Sequence, residues 1–134
     1  MADTFDLEIA TPEKLVISNP VTEAQIPGSE GMLGILPGHA PLISEIDAGA
    51  LSYVMNGQRT TLAVSKGWVE ISDNRARVLV DSCENASQID VARAESALKR
   101  ANERLASPKQ DLDMARALLA AKKAQARLDV ARGI

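Results

Sequence analysis

The chain has 134 residues, a formal net charge of −3, 46% hydrophobic side chains and only three aromatic residues, Phe5, Tyr53 and Trp68. That length suits one domain of ordinary size, or a small domain with an appendage, and the core must be aliphatic. So few rings argue against a nucleic-acid platform built on stacked aromatics; no apolar run approaches about 18 residues and no charged-then-apolar leader opens the chain, so neither a membrane span nor a secretory signal is expected.

The net charge hides a division. Residues 1–86 carry 5 Lys/Arg against 12 Asp/Glu, a balance of −7, whereas residues 87–134 carry 10 against 6, a balance of +4. Two modules are therefore expected, 1–86 and 87–134, the second suited to an acidic protein surface, a phosphate ligand or nucleic acid. The single cysteine, Cys83, cannot form an internal disulfide and fits a reducing compartment.

Phe5, Leu7 and Ile9 alternate with Asp6 and Glu8, the period of a half-buried strand. Thr11 to Lys14 turns the chain, and short extended pieces are predicted at Leu15 to Ser18 and Val21 to Ile26, divided by Asn19-Pro20. From Pro27 to Leu42, four glycines and three prolines fall within sixteen residues, which no regular helix survives. This stretch is predicted to be turn, short strand, turn, with Met32, Leu33, Ile35, Leu36 and Leu42 forming an apolar docking surface. It also holds His39, the only histidine. Imidazole could serve as a general base, but no Ser or Cys nucleophile stands in a recognisable motif, and a hydrogen-bonded structural role is the better expectation.

Alternation resumes at Leu51, Tyr53 and Met55, and Asn56-Gly57 is the favoured pair for a two-residue type I′ hairpin leading to a partner strand at Thr60 to Ser65. Trp68 to Ile71, a turn at Ser72-Asp73-Asn74, and Ala76, Val78 and Val80 complete a series of short strands. Such a series implies an antiparallel sandwich or barrel. Beyond Ser82 to Ser87 the turn residues vanish, and thirteen alanines lie between Ala86 and Ala131. Helix propensity is then high. Ala94, Leu98, Ala101 and Leu105 form one seam; Met114, Ala117, Ala121, Ala124, Leu128 and Ala131 form another. Ser107-Pro108-Lys109-Gln110 divides the two helices, with Ser107 as N-cap, Pro108 in the first turn and Gln110 closing a capping box. The fold class is therefore α+β: an N-terminal antiparallel β-sandwich followed by a C-terminal antiparallel two-helix hairpin. Alanine seams bury little, so the hairpin should dock weakly and reversibly.

Gly28 to Leu42, GSEGMLGILPGHAPL, inside a small sandwich, followed by Ile89-Asp90-Val91-Ala92-Arg93-Ala94 opening an Ala-rich hairpin, resembles the epsilon subunits of F-type ATP synthases. Ser65-Lys66-Gly67-Trp68-Val69-Glu70 is similar to the family's strand entry, with Lys66 where a glycine is usual. The resemblance implies a non-catalytic subunit of the central rotor stalk, peripheral on the cytoplasmic face of the bacterial membrane and touching the membrane only through the complex. Its implied partners are the gamma subunit, the c-subunit ring and the catalytic alpha and beta subunits, with no nucleic acid among them. The Gly/Pro stretch, His39 included, would sit at the junction with the rotor. The hairpin would either fold onto the sandwich or extend toward the catalytic subunits and block ATP hydrolysis.

No cofactor is required by that role, but some bacterial members hold a regulatory ATP through an Ile/Leu-Asp-x-x-Arg-Ala motif, and the motif is intact here. By resemblance Ile89 and Asp90 would face the adenine, Arg93, Arg100 and Arg127 the phosphates, and Glu84 would match an acidic residue of the site. Lys123 stands where arginine is usual and lacks its bidentate fork, so affinity should be lower. The plain alternative is that Asp90 caps the helix and the arginines line a solvated face. Two other readings of the whole chain are a nucleic-acid-binding module with a basic hairpin on a β-barrel, and a small hydrolase using His39.

Overall fold

The computed structural model describes residues 3–106 and 113–133. Ten strands come first: β1 (Phe5–Ala10), β2 (Leu15–Val21), β3 (Glu23–Gly28), β4 (Gly31–Ile35), β5 (Leu42–Ile46), β6 (Gly49–Met55), β7 (Gln58–Val64), β8 (Gly67–Ser72), β9 (Arg75–Val80) and β10 (Cys83–Asn85). A 3-10 turn at Ala86–Gln88 leads to helices α1 (Val91–Ala106) and α2 (Met114–Arg132). The α+β class expected from the sequence is the one observed.

Hydrogen-bonded neighbours run β10-β7-β6-β3-β5-β8-β9-β1-β2, with β4 paired to β3 off this path. Alternation places the core: Phe5, Leu7 and Ile9 on β1 and Ala76, Val78 and Val80 on β9 are all buried, and their polar neighbours face out. One departure from the sequence reading is that β1 and β9 pair in parallel, Leu7 opposite Ala76. The sheet is thus antiparallel everywhere except at the seam where the N-terminal strand is inserted. A second departure is that Asn19-Pro20 does not divide a strand, since β2 runs through it with Pro20 opposite Asp6. The strand tolerates proline because β2 is an edge, where one missing N–H breaks no second ladder.

The tight turns follow their residues. Asn56 and Gly57 have φ of 52° and 77°, joining β6 to β7 with Met55 opposite Gln58. Asp73 and Asn74 have φ of 50° and 59°, joining β8 to β9 in the same way. Gly67 is held for space instead: a Cβ there would meet the Leu79 carbonyl oxygen at 1.9 Å.

Strand β7 departs from strict alternation, because Leu62, Ala63 and Val64 are all buried. Leu62 and Val64 belong to the sandwich core, while Ala63 points outward beneath α2, packed with Ala126 and Val130 and flanked by Ala50 and Ile89. Ala50 and Ala63 are direct cross-strand partners, so their small side chains make a shallow landing strip for the helix.

Helix α2 therefore has two buried faces rather than the single seam expected. Ala117, Ala124 and Leu128 lie on the seam read from the sequence, whereas Ala126 and Val130 belong to a second stripe that meets the sheet. Helix α1 keeps its single seam, with Ala94 and Ala101 buried, and packs chiefly on α2. The helices run antiparallel, bringing Arg132 near the end of α2 within 2.9 Å of Glu95 near the start of α1. Asp113 is the N-cap of α2, its Oδ1 accepting from the Arg116 N–H at 3.0 Å. The expected break at Ser107, Pro108, Lys109 and Gln110 lies outside the described residues.

Candidate functional site

Two surfaces hold the candidate residues. The first is the Gly/Pro stretch. β3 and β4 form a hairpin with Gly28 opposite Gly31, and the Ser29 N–H donates to the Glu45 carbonyl at 3.0 Å. Past β4, the Gly38 N–H donates to Asn74 Oδ1 at 2.9 Å, and Asn74 Nδ2 donates to the Thr4 carbonyl at 2.9 Å. One asparagine side chain thus ties the loop to the β8–β9 turn and to the segment before β1.

This frame sorts the apolar residues. Met32 and Leu36 are exposed, Leu36 at 59%, while Leu33 and Leu42 are half-buried and lean on the core. Ile35, grouped with them by sequence, is only 1% exposed and is a core residue. His39 is half-buried, and its Nδ1 donates to the Ala40 carbonyl at 2.7 Å; its own backbone N–H donates to the Leu36 carbonyl at 3.1 Å. The ring is engaged in shaping the turn.

A further apolar surface escaped the sequence reading. On the outer face, Trp68 pairs with Leu79, Leu79 with Ala10 and Ala10 with Leu15, a row across β8, β9, β1 and β2. Trp68, Leu79 and Leu15 are all exposed. The signal was present in the alternation itself, because Leu79 falls out of phase with Ala76, Val78 and Val80.

The second surface is a cleft of about 300 Å³ between the end of the sandwich and the hairpin, lined by Glu84, Gln88, Asp90, Arg93, Arg100 and Arg127 along with Ala94 and Ala97. Its size falls at the small end of ordinary ligand pockets. Glu84 reaches it because β10 pairs with β7 in a register that sets Glu84 opposite Ala63, on the side that faces α2. There Glu84 Oε1 accepts from Arg127 Nε at 2.6 Å. Asp90 caps α1: its Oδ1 accepts from the Arg93 N–H at 3.1 Å and its carbonyl from the Ala94 N–H at 3.0 Å.

Of the seven residues assigned to a nucleotide by resemblance, five share this cleft. Lys123 lines an adjoining depression with Glu84, Arg127 and Ser65. Ile89 packs on the Ala63, Ala126 and Val130 cluster. Gln88, which the sequence reading did not single out, also lines the cleft, and its Oε1 accepts from the Asn85 N–H at 2.9 Å while Asn85 Oδ1 accepts from the Gln88 N–H at 3.2 Å. This capping box turns the chain from β10 into α1. Among the described residues Arg93, in the first turn of α1, and Arg100, two turns further along it, make no ion pair, so the cleft carries two cationic groups on one helix, an arrangement suited to phosphate.

A small β-sandwich with a helical hairpin packed on it, apolar on two exposed surfaces and charged where the modules meet, defines a two-module chain with surfaces suited to docking. Residues 4–86 match the family model of the ATP synthase delta/epsilon chain β-sandwich domain, and residues 87–132 that of its long α-helix domain. The chain is 42% identical over 131 residues to the "ATP synthase epsilon chain" of Solibacter usitatus, covering 98% of each. It is 45% identical over 130 residues to that of Nitratidesulfovibrio vulgaris, covering 97% of each. The fold is also that of a chain in the Euglena gracilis mitochondrial ATP synthase OSCP/F1/c-ring structure, with a TM-score of 0.85 at 19% identity over 98% of this chain and 83% of that one. The chain belongs to the ATP synthase delta/epsilon chain family, as an epsilon-type, non-catalytic subunit. Among the described residues, no helix is long and apolar enough to cross a membrane.

Proposed function

We propose that this subunit docks through its sandwich on the gamma subunit and the c-subunit ring of a proton-driven ATP synthase, at the cytoplasmic face of the membrane, and couples proton flow to ATP synthesis. Met32, Leu33, Leu36, His39 and Leu42 form one docking edge, and the row from Trp68 to Leu15 forms a second. The exposure of Met32, Leu36, Trp68 and Leu79 supports this, since monomeric surfaces seldom expose contiguous apolar patches of this kind.

The hairpin regulates. Seated on the sandwich it leaves the catalytic alpha and beta subunits alone; released, it reaches them and blocks ATP hydrolysis. Regulatory ATP binds the cleft and favours the seated form, with Arg93, Arg100 and Arg127 on the phosphates, Ile89 and Asp90 toward the base, and Lys123 as a weaker cationic neighbour. The observation that carries this reading is the convergence of Glu84, Asp90, Arg93, Arg100 and Arg127, from a strand, a helix start and two helices, on one cleft at the hinge between modules. At 100 times its dissociation constant, a ligand confined to the seated form shifts the balance by about 2.7 kcal/mol.

Reconstitution onto an ATPase core lacking this subunit provides the test. Both the full chain and one ending at Ala86 are expected to bind the core, and only the full chain to inhibit hydrolysis. Failure of both to bind removes the docking reading; equal hydrolysis with either removes the regulatory one.

A further inference from the structure

Helix α2 meets the sandwich through side chains no larger than valine and isoleucine: Ala126 and Val130 on the helix, Ala50 and Ala63 on the sheet, and Ile89 beside them. Such a contact has little shape to hold a helix at one height or rotation. Two ion pairs flank it. Lys122 Nζ lies 2.7 Å from Asp47 Oδ2, and Arg127 Nε lies 2.6 Å from Glu84 Oε1.

Their placement follows the helix period. Lys122, Ala126 and Val130 are spaced four residues apart and lie on one face of α2, so Lys122 extends the stripe that touches the sheet. Asp47 comes from the turn between β5 and β6, directly before the strand that carries Ala50. Its carboxylate is already oriented: Oδ1 accepts from the Ala48 N–H at 2.9 Å, and the Asp47 N–H donates to the Pro27 carbonyl at 2.9 Å. A pre-oriented carboxylate loses less side-chain freedom on pairing than a solvated one. Glu84 also lines the cleft, but Asp47 does not.

We propose that Asp47 and Glu84 form a two-point electrostatic latch that sets the seated population of the hairpin, with Asp47–Lys122 the point that acts on seating alone, independently of any occupant of the cleft. The proposal rests on the reading that the hairpin can leave the sandwich. The partner recognised is thus a segment of the same chain, and the chemistry is a carboxylate meeting a lysine ammonium across an alanine surface.

The experiment measures amide hydrogen exchange of the full chain, in segments covering α2 and β7, at low and high salt. The variants are Asp47→Asn and Asp47→Lys, the latter alone and with Lys122→Asp. At low salt Asp47→Asn should raise exchange of α2 about threefold, the scale of one partly exposed pair. At roughly 0.5 M salt, where the screening length has shrunk to about 4 Å and this partly exposed contact pair is weakened, the gap between the wild-type chain and the variant should narrow. Asp47→Lys should exchange faster still, and adding Lys122→Asp should restore protection. Equal exchange in wild type and Asp47→Asn, or no recovery on charge reversal, overturns the latch. An Asp47→Asn chain that releases α2 faster yet inhibits the ATPase core no differently from wild type upholds the latch and removes the regulatory reading.

Discussion

Arg127 Nε donates to Glu84 Oε1 at 2.6 Å, joining residues 43 positions apart and closing one wall of the cleft between sandwich and hairpin. A phosphate entering the cleft must share or displace this carboxylate, whereas Arg93 and Arg100 make no ion pair among the described residues. Asp90 is the cap of α1, so its replacement would confound any effect on binding with helix stability.

Arg100→Gln is therefore the cleaner probe of nucleotide binding. Calorimetric titration with ATP should give binding to the wild-type chain and at least tenfold weaker binding to the variant, the size of one charge-assisted contact of about 1.4 kcal/mol or more. Lys123→Arg should tighten binding. Equal heats in wild type and Arg100→Gln would remove the phosphate assignment.

Leu36 and Ile35 are adjacent in sequence and opposite in burial, 59% against 1% exposed. Leu36→Asp should leave the melting temperature within a degree or two and weaken assembly onto the ATPase core. Ile35→Ala should instead cost about 2–5 kcal/mol of stability, as a truncated core side chain does. Reversed outcomes would mean that the loop sits differently against the core.

Gly67→Ala forces a Cβ into the Leu79 carbonyl, a backbone atom that cannot rotate away. A loss of roughly 1–3 kcal/mol is expected, visible as a lower denaturant midpoint. An unchanged midpoint would contradict the close approach of β8 and β9.

Cys83 is half-buried, and burial first, then the neighbouring Glu84, pushes its thiol up to about 11. At pH 8 its thiolate fraction is about a hundredfold below that of an ordinary exposed cysteine, so alkylation should be slower by a similar factor and accelerate on denaturation. Rapid alkylation of the folded chain would refute this.

The hydrogen bond from Lys122 holds the Asp47 carboxyl below its ordinary value; burial, the next-largest effect, opposes it, and the Ala48 N–H and the charges of Lys122 and Lys66 reinforce it. A lowered carboxylate value adds stability that is complete above about pH 4 and lost as pH falls through the lowered value. Protection of α2 in hydrogen exchange should accordingly be flat from pH 7 to about 5 and fall below about 4. In Asp47→Asn the part of that fall due to this carboxylate should be missing; identical profiles would remove the pair's contribution.

Period-two alternation, the Asn56-Gly57 turn and the alanine-rich tail were enough to read from sequence a β-sandwich followed by two helices, because these signals are local and act within a few residues. Five of the residues that line the cleft were legible too, but only through resemblance, since Glu84 and Arg127 meet across 43 positions and no local pattern joins them; Gln88 was not, and Ile89 and Lys123 lie outside it. Tertiary structure alone decided that α2 carries a second buried stripe at Ala126 and Val130, because alanine is equally at home on either face of a helix. It also decided that β1 inserts parallel to β9, and that Ile35 turns inward while Leu36 turns out. Asp47 and Lys122, 75 positions apart, appear in the sequence as two solvated charges. Only the landing of α2 on Ala50 and Ala63 brings them within 2.7 Å, because pairing of distant charges is set by where the backbone elements pack.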